Sequence, residues 1–354
     1  ASVSIHHSYH ADAADQPARA DDGDVLIWVW GDVIGHEADG QYAPKPPAES
    51  AATYCARLYD EHGLQFVDGL NSEFAGAVYD TEDDSVTLFV DRLSARPIYY
   101  AHTGSSVVFS TQLQSLPEHP DVDPTFDMVS VCSFFRLFGR GGIGTSSMLE
   151  GVRRLHPGSK LRYDIPDPET AEEVYWRPKY DPLDRSYDYF LERFSDVIAD
   201  AVAERARNAD DPGLFLSGGS DSRLLLSFLD DDVRSYHMNE YMNTEARIAE
   251  QVAGEAGSEF ELLQRDPDYY IDLLDDLGQI SNGRGRLDQA HALGFKERIR
   301  SGVTTMFSGQ YSDTVLLGMH TPKHNVTIPN INQRVKLPFV FDVDEETYLS
   351  LWKS

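Results

Sequence analysis

Leu214-Phe215-Leu216-Ser217-Gly218-Gly219-Ser220-Asp221-Ser222-Arg223-Leu224-Leu225-Leu226 decides how the C-terminal half of this chain is read. The apolar run Leu214 to Leu216 predicts the end of a buried parallel strand. Two glycines predict a tight turn, and Leu224 to Phe228 predicts the start of a helix. That layout aims backbone N–H groups at one point, which suits an anion. Ser217, Ser220 and Ser222 add three hydroxyls, and Asp221 is placed to hold a magnesium ion against phosphates. A Gly-Gly turn capped by Ser and Asp would give the same letters without a ligand, and the residues alone leave that open. A Walker A loop is excluded, because the G-x-x-x-x-G-K-[ST] spacing and its lysine are missing.

On either side, strands and helices alternate. Tyr187 to Arg207 has helical spacing, with Phe190, Phe194, Val197, Ile198, Ala201 and Val202 on one face, which predicts core packing. Val233 to Met238 predicts a second strand, Glu245 to Ala256 a helix closed by Gly257, and Phe260 to Leu263 a third strand. This alternation predicts an α/β doubly wound, mostly parallel sheet, whose ligands sit at the C-terminal strand ends. Ser217 to Ser222, His237 and Met238 would then share one crevice.

The pattern S-G-G-x-D-S between a strand and a helix resembles the pyrophosphate loop of the N-type ATP pyrophosphatases (adenine nucleotide α-hydrolase-like domains). These enzymes split ATP into AMP and pyrophosphate to activate a carboxylate or carbonyl. Met306-Phe307-Ser308-Gly309-Gln310-Tyr311-Ser312-Asp313-Thr314-Val315-Leu316-Leu317-Gly318 resembles the segment S-G-E-G-x-D-E-x-x-x-G of the asparagine synthetases. The resemblance implies ATP and Mg2+ as cofactors. It places Leu216, Met238, Ser308 and Gly309 near adenine and ribose, and Ser217, Gly218, Gly219, Ser220 and Ser222 around phosphate. Asp221 and Asp313 would bind magnesium and pyrophosphate; a helix N-cap is the alternative for Asp313.

The N-terminal half reads as a strand at Val25 to Trp30, a helix from Ser50 to His62 ended by Gly63, and short strands at Phe74 to Tyr79, Val86 to Val90, Ile98 to Tyr100 and Val107 to Ser110. Residues 1–24 read as ragged. This pattern predicts an α+β sandwich. Leu70 to Asp80, Asp91 to Tyr100 and Phe109-Ser110-Thr111-Gln112 resemble three successive marks of the amidotransferase domain of asparagine synthetases, an Ntn-type sandwich. Arg153 to Gly158 and Tyr175-Trp176 resemble the marks that precede the synthetase domain. The boundary is expected between Arg177 and Asp184, giving domains 1–182 and 183–354.

Departures from that family are informative. Its glutaminase uses an N-terminal cysteine, whereas this sequence starts Ala1-Ser2-Val3-Ser4. The family's N-G-E segment aligns with Trp30-Gly31-Asp32, and an indole lacks the amide donor that stabilises an oxyanion. Its S-D-x-E segment aligns with Ser50-Ala51-Ala52-Thr53, removing the carboxylate for the glutamine amine. The expectation is a retained fold with the glutaminase lost.

In the third segment the family's glutamates fall on Gln310 and Thr314. Gln310 keeps a geometry but cannot act as a base. With Asp221 and Asp313 it completes the expected catalytic set. β-Lactam synthetase-type cyclases share both departures, so an intramolecular amide cyclase is the first rival to an AMP-forming amide ligase. A nucleotide-binding pseudoenzyme or scaffold is the second. A thiolating pyrophosphatase fits less well, since no catalytic cysteine pair is evident. Ser281-Asn282-Gly283-Arg284-Gly285-Arg286 reads as a cationic loop for phosphate or carboxylate, or as a plain solvated turn. After Gly318 the resemblance fades, and Lys323 and Lys336 are weak candidates for the family's catalytic lysine. A truncated or shortened tail is expected.

Composition sets the remaining bounds. The 354 residues include 59 acidic and 30 basic ones, a net charge of −29. Only seven of the basic residues are lysines. Scattered carboxylates with little lysine suit a salt-rich cytoplasm, so a halophilic source is expected. The same charge argues against nucleic acid as a partner. Cys55 and Cys132 read as reduced, buried thiols. No run approaches a membrane helix, and no signal segment is evident, so a cytoplasmic enzyme without membrane partners is expected. Its partners would be a small-molecule carboxylate and an amine or ammonia, with a homodimer left open.

Overall fold

The computed structural model describes residues 4–5, 16–104, 106–136, 144–165, 170–179, 181, 183–207, 209, 211–229, 232–280, 290–310, 312, 323–328 and 333–338. They fall into two compact units, Ala1–Ala209 with Arg265–Gly302 and Asp210–Gln264 with Val303–Ser354.

The first unit opens with β1 (Ala18–Ala20), β2 (Val25–Ala38) and β3 (Gln41–Pro44), then α1 (Ala51–His62) and α2 (Phe66–Gly69). β4 (Leu70–Asp80), β5 (Ser85–Val90), β6 (Tyr99–Thr103) and β7 (Ser106–Ser110) follow, then α3 (Met128–Arg136). β8 (Val152–Arg154), β9 (Ser159–Asp164), β10 (Thr170–Val174) and α4 (Tyr187–Ala206) come next, and the short helices Tyr269–Asp272, Leu274–Ile280 and Lys296–Arg300 also belong to this unit. One antiparallel sheet runs β1-β2-β4-β5-β9-β10 with β3 on β2, and a second runs β7-β6-β8.

Alternation along β2 builds two cores from one strand. Val25, Ile27 and Val29 pack with Cys55 and Leu58 of α1 and with Phe66 and Val67 of α2. Trp28 faces the other way, with Leu88 of β5 and Ile98 and Tyr100 at the second sheet. The large sheet therefore lies between helices and a second sheet, as the α+β sandwich expectation requires. α1 starts where expected: the Ser50 hydroxyl accepts from the Thr53 N–H at 3.2 Å, and Gly63 ends the helix at φ +57°.

Three expectations need correcting. Residues 16–24 are not ragged: the Gln16 amide donates to the Val29 carbonyl at 2.7 Å and accepts from the Val29 N–H at 2.9 Å. One side chain thus does the job of a ladder rung, which no hydrophobic periodicity reports. The apolar stripe of α4 is not simply core: Val202 is buried, but Phe190 and Val197 are exposed. Spacing reveals that a helix is two-faced, not how much of the face is covered. Cys132 on α3 is exposed, while Cys55 is buried. Burial pushes the Cys55 thiol up, so it stays protonated.

The second unit carries β11 (Pro212–Phe215), α5 (Ser220–Leu226), β12 (Arg234–Asn239), α6 (Thr244–Glu255), β13 (Glu259–Gln264) and β14 (Thr305–Ser308). The four strands are parallel in the order β13-β12-β11-β14. A hairpin of β15 (Lys323–Ile328) and β16 (Gln333–Pro338) forms a separate pair, in which Lys323 and Lys336 lie opposite Pro338 and Asn325. The strand ends one residue earlier, and the helix starts four residues earlier, than the sequence suggests. Leu216-Ser217-Gly218-Gly219 is loop. No helix among the described residues is long and apolar enough to cross a membrane.

Candidate functional site

The chain runs β11 to β12 to β13 in one direction across the sheet, and β14 then returns to the other side of β11. Such a reversal opens a crevice beyond the C-terminal ends of the two strands that flank it. Phe215 of β11 lies beside Ser308 of β14 and Tyr236 of β12. Ser217 to Ser222, the end of β12 with His237-Met238, and Ser308-Gly309 therefore lie at the C-terminal ends of adjacent strands.

The loop is knitted by its own hydroxyls. Ser222 is 5% exposed, and its Oγ accepts from the Ser217 N–H at 3.0 Å while lying 3.1 Å from Ser217 Oγ. Ser217 Oγ in turn accepts from the Gly219 N–H at 3.1 Å. These bonds hold the turn in a fixed shape and leave Gly219 and Ser220 exposed at its mouth. The Ser220 hydroxyl donates to Asp221 Oδ1 at 3.2 Å. Arg223 folds back so that its Nε–H donates to the Gly219 carbonyl at 3.0 Å.

The loop after β14 comes in contact with this turn. A Cβ at Gly309 would stand 3.2 Å from both Asp221 Cβ and the Ser222 backbone nitrogen. Only glycine permits that approach without a shift. The Gln310 N–H donates to Ser308 Oγ at 3.2 Å, and Gln310 is exposed. Leu216 is buried and Met238 half-buried, both beside the crevice. Asp313 and Thr314 lie outside the described residues, as do Arg284 and Arg286. The expected site residues Leu216, Ser217, Gly218, Gly219, Ser220, Asp221, Ser222, Met238, Ser308, Gly309 and Gln310 are thus all at one strand-end edge.

One participant stands out that the sequence located without a role. The buried His237 ring places Nδ1 2.8 Å from the Leu216 carbonyl. Its Nε2 is buried with no hydrogen-bond partner among the described residues.

The donor set suits a magnesium-bound nucleotide triphosphate. Magnesium is held by one or two carboxylates together with substrate phosphates and waters, not by a dedicated cage. Asp221 supplies one half-buried carboxylate at the loop, and no cluster of three or more metal-holding side chains occurs among the described residues.

In the first unit, the positions aligned with the family's glutaminase motifs lie on β2 and at the start of α1. Trp30 is half-buried against the core between the sheets, and Asp32 is exposed opposite Glu73. Ala51 and Ala52 are buried, and the Thr53 hydroxyl accepts from Ser50 Oγ at 2.9 Å. The first turn of α1 carries no carboxylate.

The family model for the glutamine amidotransferase domain matches residues 5–176, and that for asparagine synthase matches residues 193–349. The chain is an asparagine synthetase-like protein. Asparagine synthetase [glutamine-hydrolyzing] 2 of Bacillus subtilis (strain 168) is 25% identical over 325 residues, which is 84% of this chain and 43% of that protein. Asparagine synthetase [glutamine-hydrolyzing] 3 of the same organism is 28% identical over 164 residues, 46% of this chain and 26% of that protein. The chain therefore spans less than half the length of these two relatives. Among solved structures, an NH3-dependent NAD synthetase from Campylobacter jejuni aligns at 18% identity over 36% of this chain and 60% of that one, with a TM-score of 0.28. Along the chain the amidotransferase match precedes the asparagine synthase match.

Proposed function

We propose that the protein is an ATP-dependent amide ligase that forms AMP and pyrophosphate, organised as an amidotransferase-like domain (1–182) and a synthetase-like domain (183–354). The observation that carries this reading is the hydroxyl-tied Ser217–Ser222 turn, with Asp221 packed against Gly309 at the sheet's reversal point.

A substrate carboxylate oxygen attacks the α-phosphorus of ATP, and the bond to the β-phosphate oxygen breaks as pyrophosphate leaves. An amine or ammonia then attacks the acyl carbon, and AMP departs with a proton released to solvent. Magnesium, when bound, spreads the charge that builds on the departing pyrophosphate. Asp221 would hold it, together with Asp313 as the second carboxylate that the family resemblance implies. The loop's N–H groups and the Ser217 hydroxyl position the phosphates, so the protein contributes mainly orientation and charge stabilisation.

The glutaminase is absent in this reading, on the strength of Trp30 and the carboxylate-free start of α1. Supplying aspartate with either ammonia or glutamine tests that part. Amide formation with ammonia alone is expected; equal rates with both donors would overturn it. Gln310 supports a second reading, an intramolecular cyclase. It shares the adenylation step, and a substrate carrying its own amine distinguishes it.

A further inference from the structure

We propose that His237 is a positioning residue for the nucleotide loop: it anchors the peptide at which β11 turns into Ser217. This rests on the nucleotide-binding reading above and extends it to a residue outside the loop.

Leu216 sits at the junction. Its N–H donates to the Tyr236 carbonyl at 2.9 Å, the last backbone bond of the parallel ladder on that side. In a ladder that continued, the next bond would run to the Leu216 carbonyl from the Met238 N–H. The His237 imidazole supplies the donor instead, 2.8 Å from that carbonyl. A carbonyl only accepts, so Nδ1 carries a proton. The ring is 6% exposed, and Nε2 is buried with no hydrogen-bond partner among the described residues. A buried polar atom left unpaired is costly, and each such group in a native fold calls for a compensating role. The compensation here is geometric. Both backbone groups of Leu216 are fixed by β12 while the chain is released from the sheet one residue before Ser217. An apolar side chain of similar size would fill the space and remove the orphan nitrogen, but would leave the loop's first carbonyl without its donor.

The test compares His237→Leu with His237→Asn, whose amide places a donor where Nδ1 stands. In the unliganded protein, amide hydrogen exchange is followed across 217–222, where the Ser217 and Gly219 N–H groups are hydrogen-bonded. His237→Leu should speed exchange there about tenfold, which corresponds to about 1.4 kcal/mol, with the rest of the sheet unchanged. His237→Asn should stay within about threefold of the parent. Mg-ATP affinity should fall about tenfold in the leucine variant and recover in the asparagine variant. Unchanged loop exchange in His237→Leu, or equal loss in both variants, would overturn the proposal, as would faster exchange spread over the whole sheet. If the parent protein fails to bind Mg-ATP while loop exchange still responds to His237→Leu, the anchoring role stands and the nucleotide reading falls.

Discussion

Ser222→Ala isolates the contribution of loop geometry from that of loop charge. The Ser222 hydroxyl is the knot of the turn: it accepts the Ser217 N–H at 3.0 Å and lies within 3.3 Å of the Ser217 carbonyl. It is nearly inaccessible to water, so its loss leaves the Ser217 N–H without a replacement partner. Stranding one buried backbone donor costs about 1–3 kcal/mol, and that range corresponds to roughly 5–150-fold in an equilibrium constant. Since the turn has few other bonds, most of that cost should appear as weakened Mg-ATP binding. Ser220→Ala provides the contrast. That hydroxyl is exposed and donates only to Asp221 at 3.2 Å, so its removal should cost less than about 1 kcal/mol. Isothermal titration with Mg-ATP, alongside thermal melting, reads both variants. Parent-like affinity in Ser222→Ala, or an equal loss in Ser220→Ala, would refute the reasoning.

Three further outcomes are expected. Asp91 is 2% exposed and accepts the N–H groups of Leu93, Ala95 and Arg96 at 2.9, 3.2 and 3.2 Å. Asp91→Ala should therefore lower unfolding free energy by ~3 kcal/mol or more, with Asp91→Asn milder; a denaturant midpoint equal to the parent's would contradict this. The His36 imidazole is held below its ordinary 6.5 by burial first and by neighbouring His62 second. The unfolded chain then takes the proton before the folded one, so this contribution is complete above 6.5 and is lost as pH falls through the lower folded value. His36→Gln should flatten the acid limb of the stability curve, and an identical limb would count against it. With a net charge of −29, the chain should melt at higher temperature in molar KCl, where the screening length shrinks to about 3 Å; a melting point that falls or stays level would sink the salt-adaptation reading.

Much of this arrangement is legible in the letters, for reasons that differ by element. α1 is announced by Ser50 and Gly63, because capping is local chemistry. The nucleotide loop is announced by glycines and hydroxyls whose bonds span five residues or fewer. Asp91-Arg92-Leu93-Ser94 is legible as a motif, but its buried carboxylate serves backbone N–H groups, so the resemblance there reports architecture before catalysis. What stays hidden depends on long-range partners. Gln16 finds Val29 across a sheet, and β8, β9 and β10 are too short and mixed to show a period. Exposure of Phe190 and Val197 depends on what covers α4, which periodicity does not encode. The anchoring histidine is the clearest case: His237 is one letter in an apolar strand, and its meaning appears only once Leu216 lies beside it.

In the proposed reaction, ATP bound at the Asp221 loop is cleaved between the α- and β-phosphates. The most direct measurement follows AMP and pyrophosphate together in Mg-ATP, carboxylate and ammonia, for the parent and for Asp221→Ala. Equimolar AMP and pyrophosphate from the parent, falling at least a hundredfold in the variant, is the predicted result. Release of ADP and inorganic phosphate, or undiminished pyrophosphate from Asp221→Ala, would contradict it.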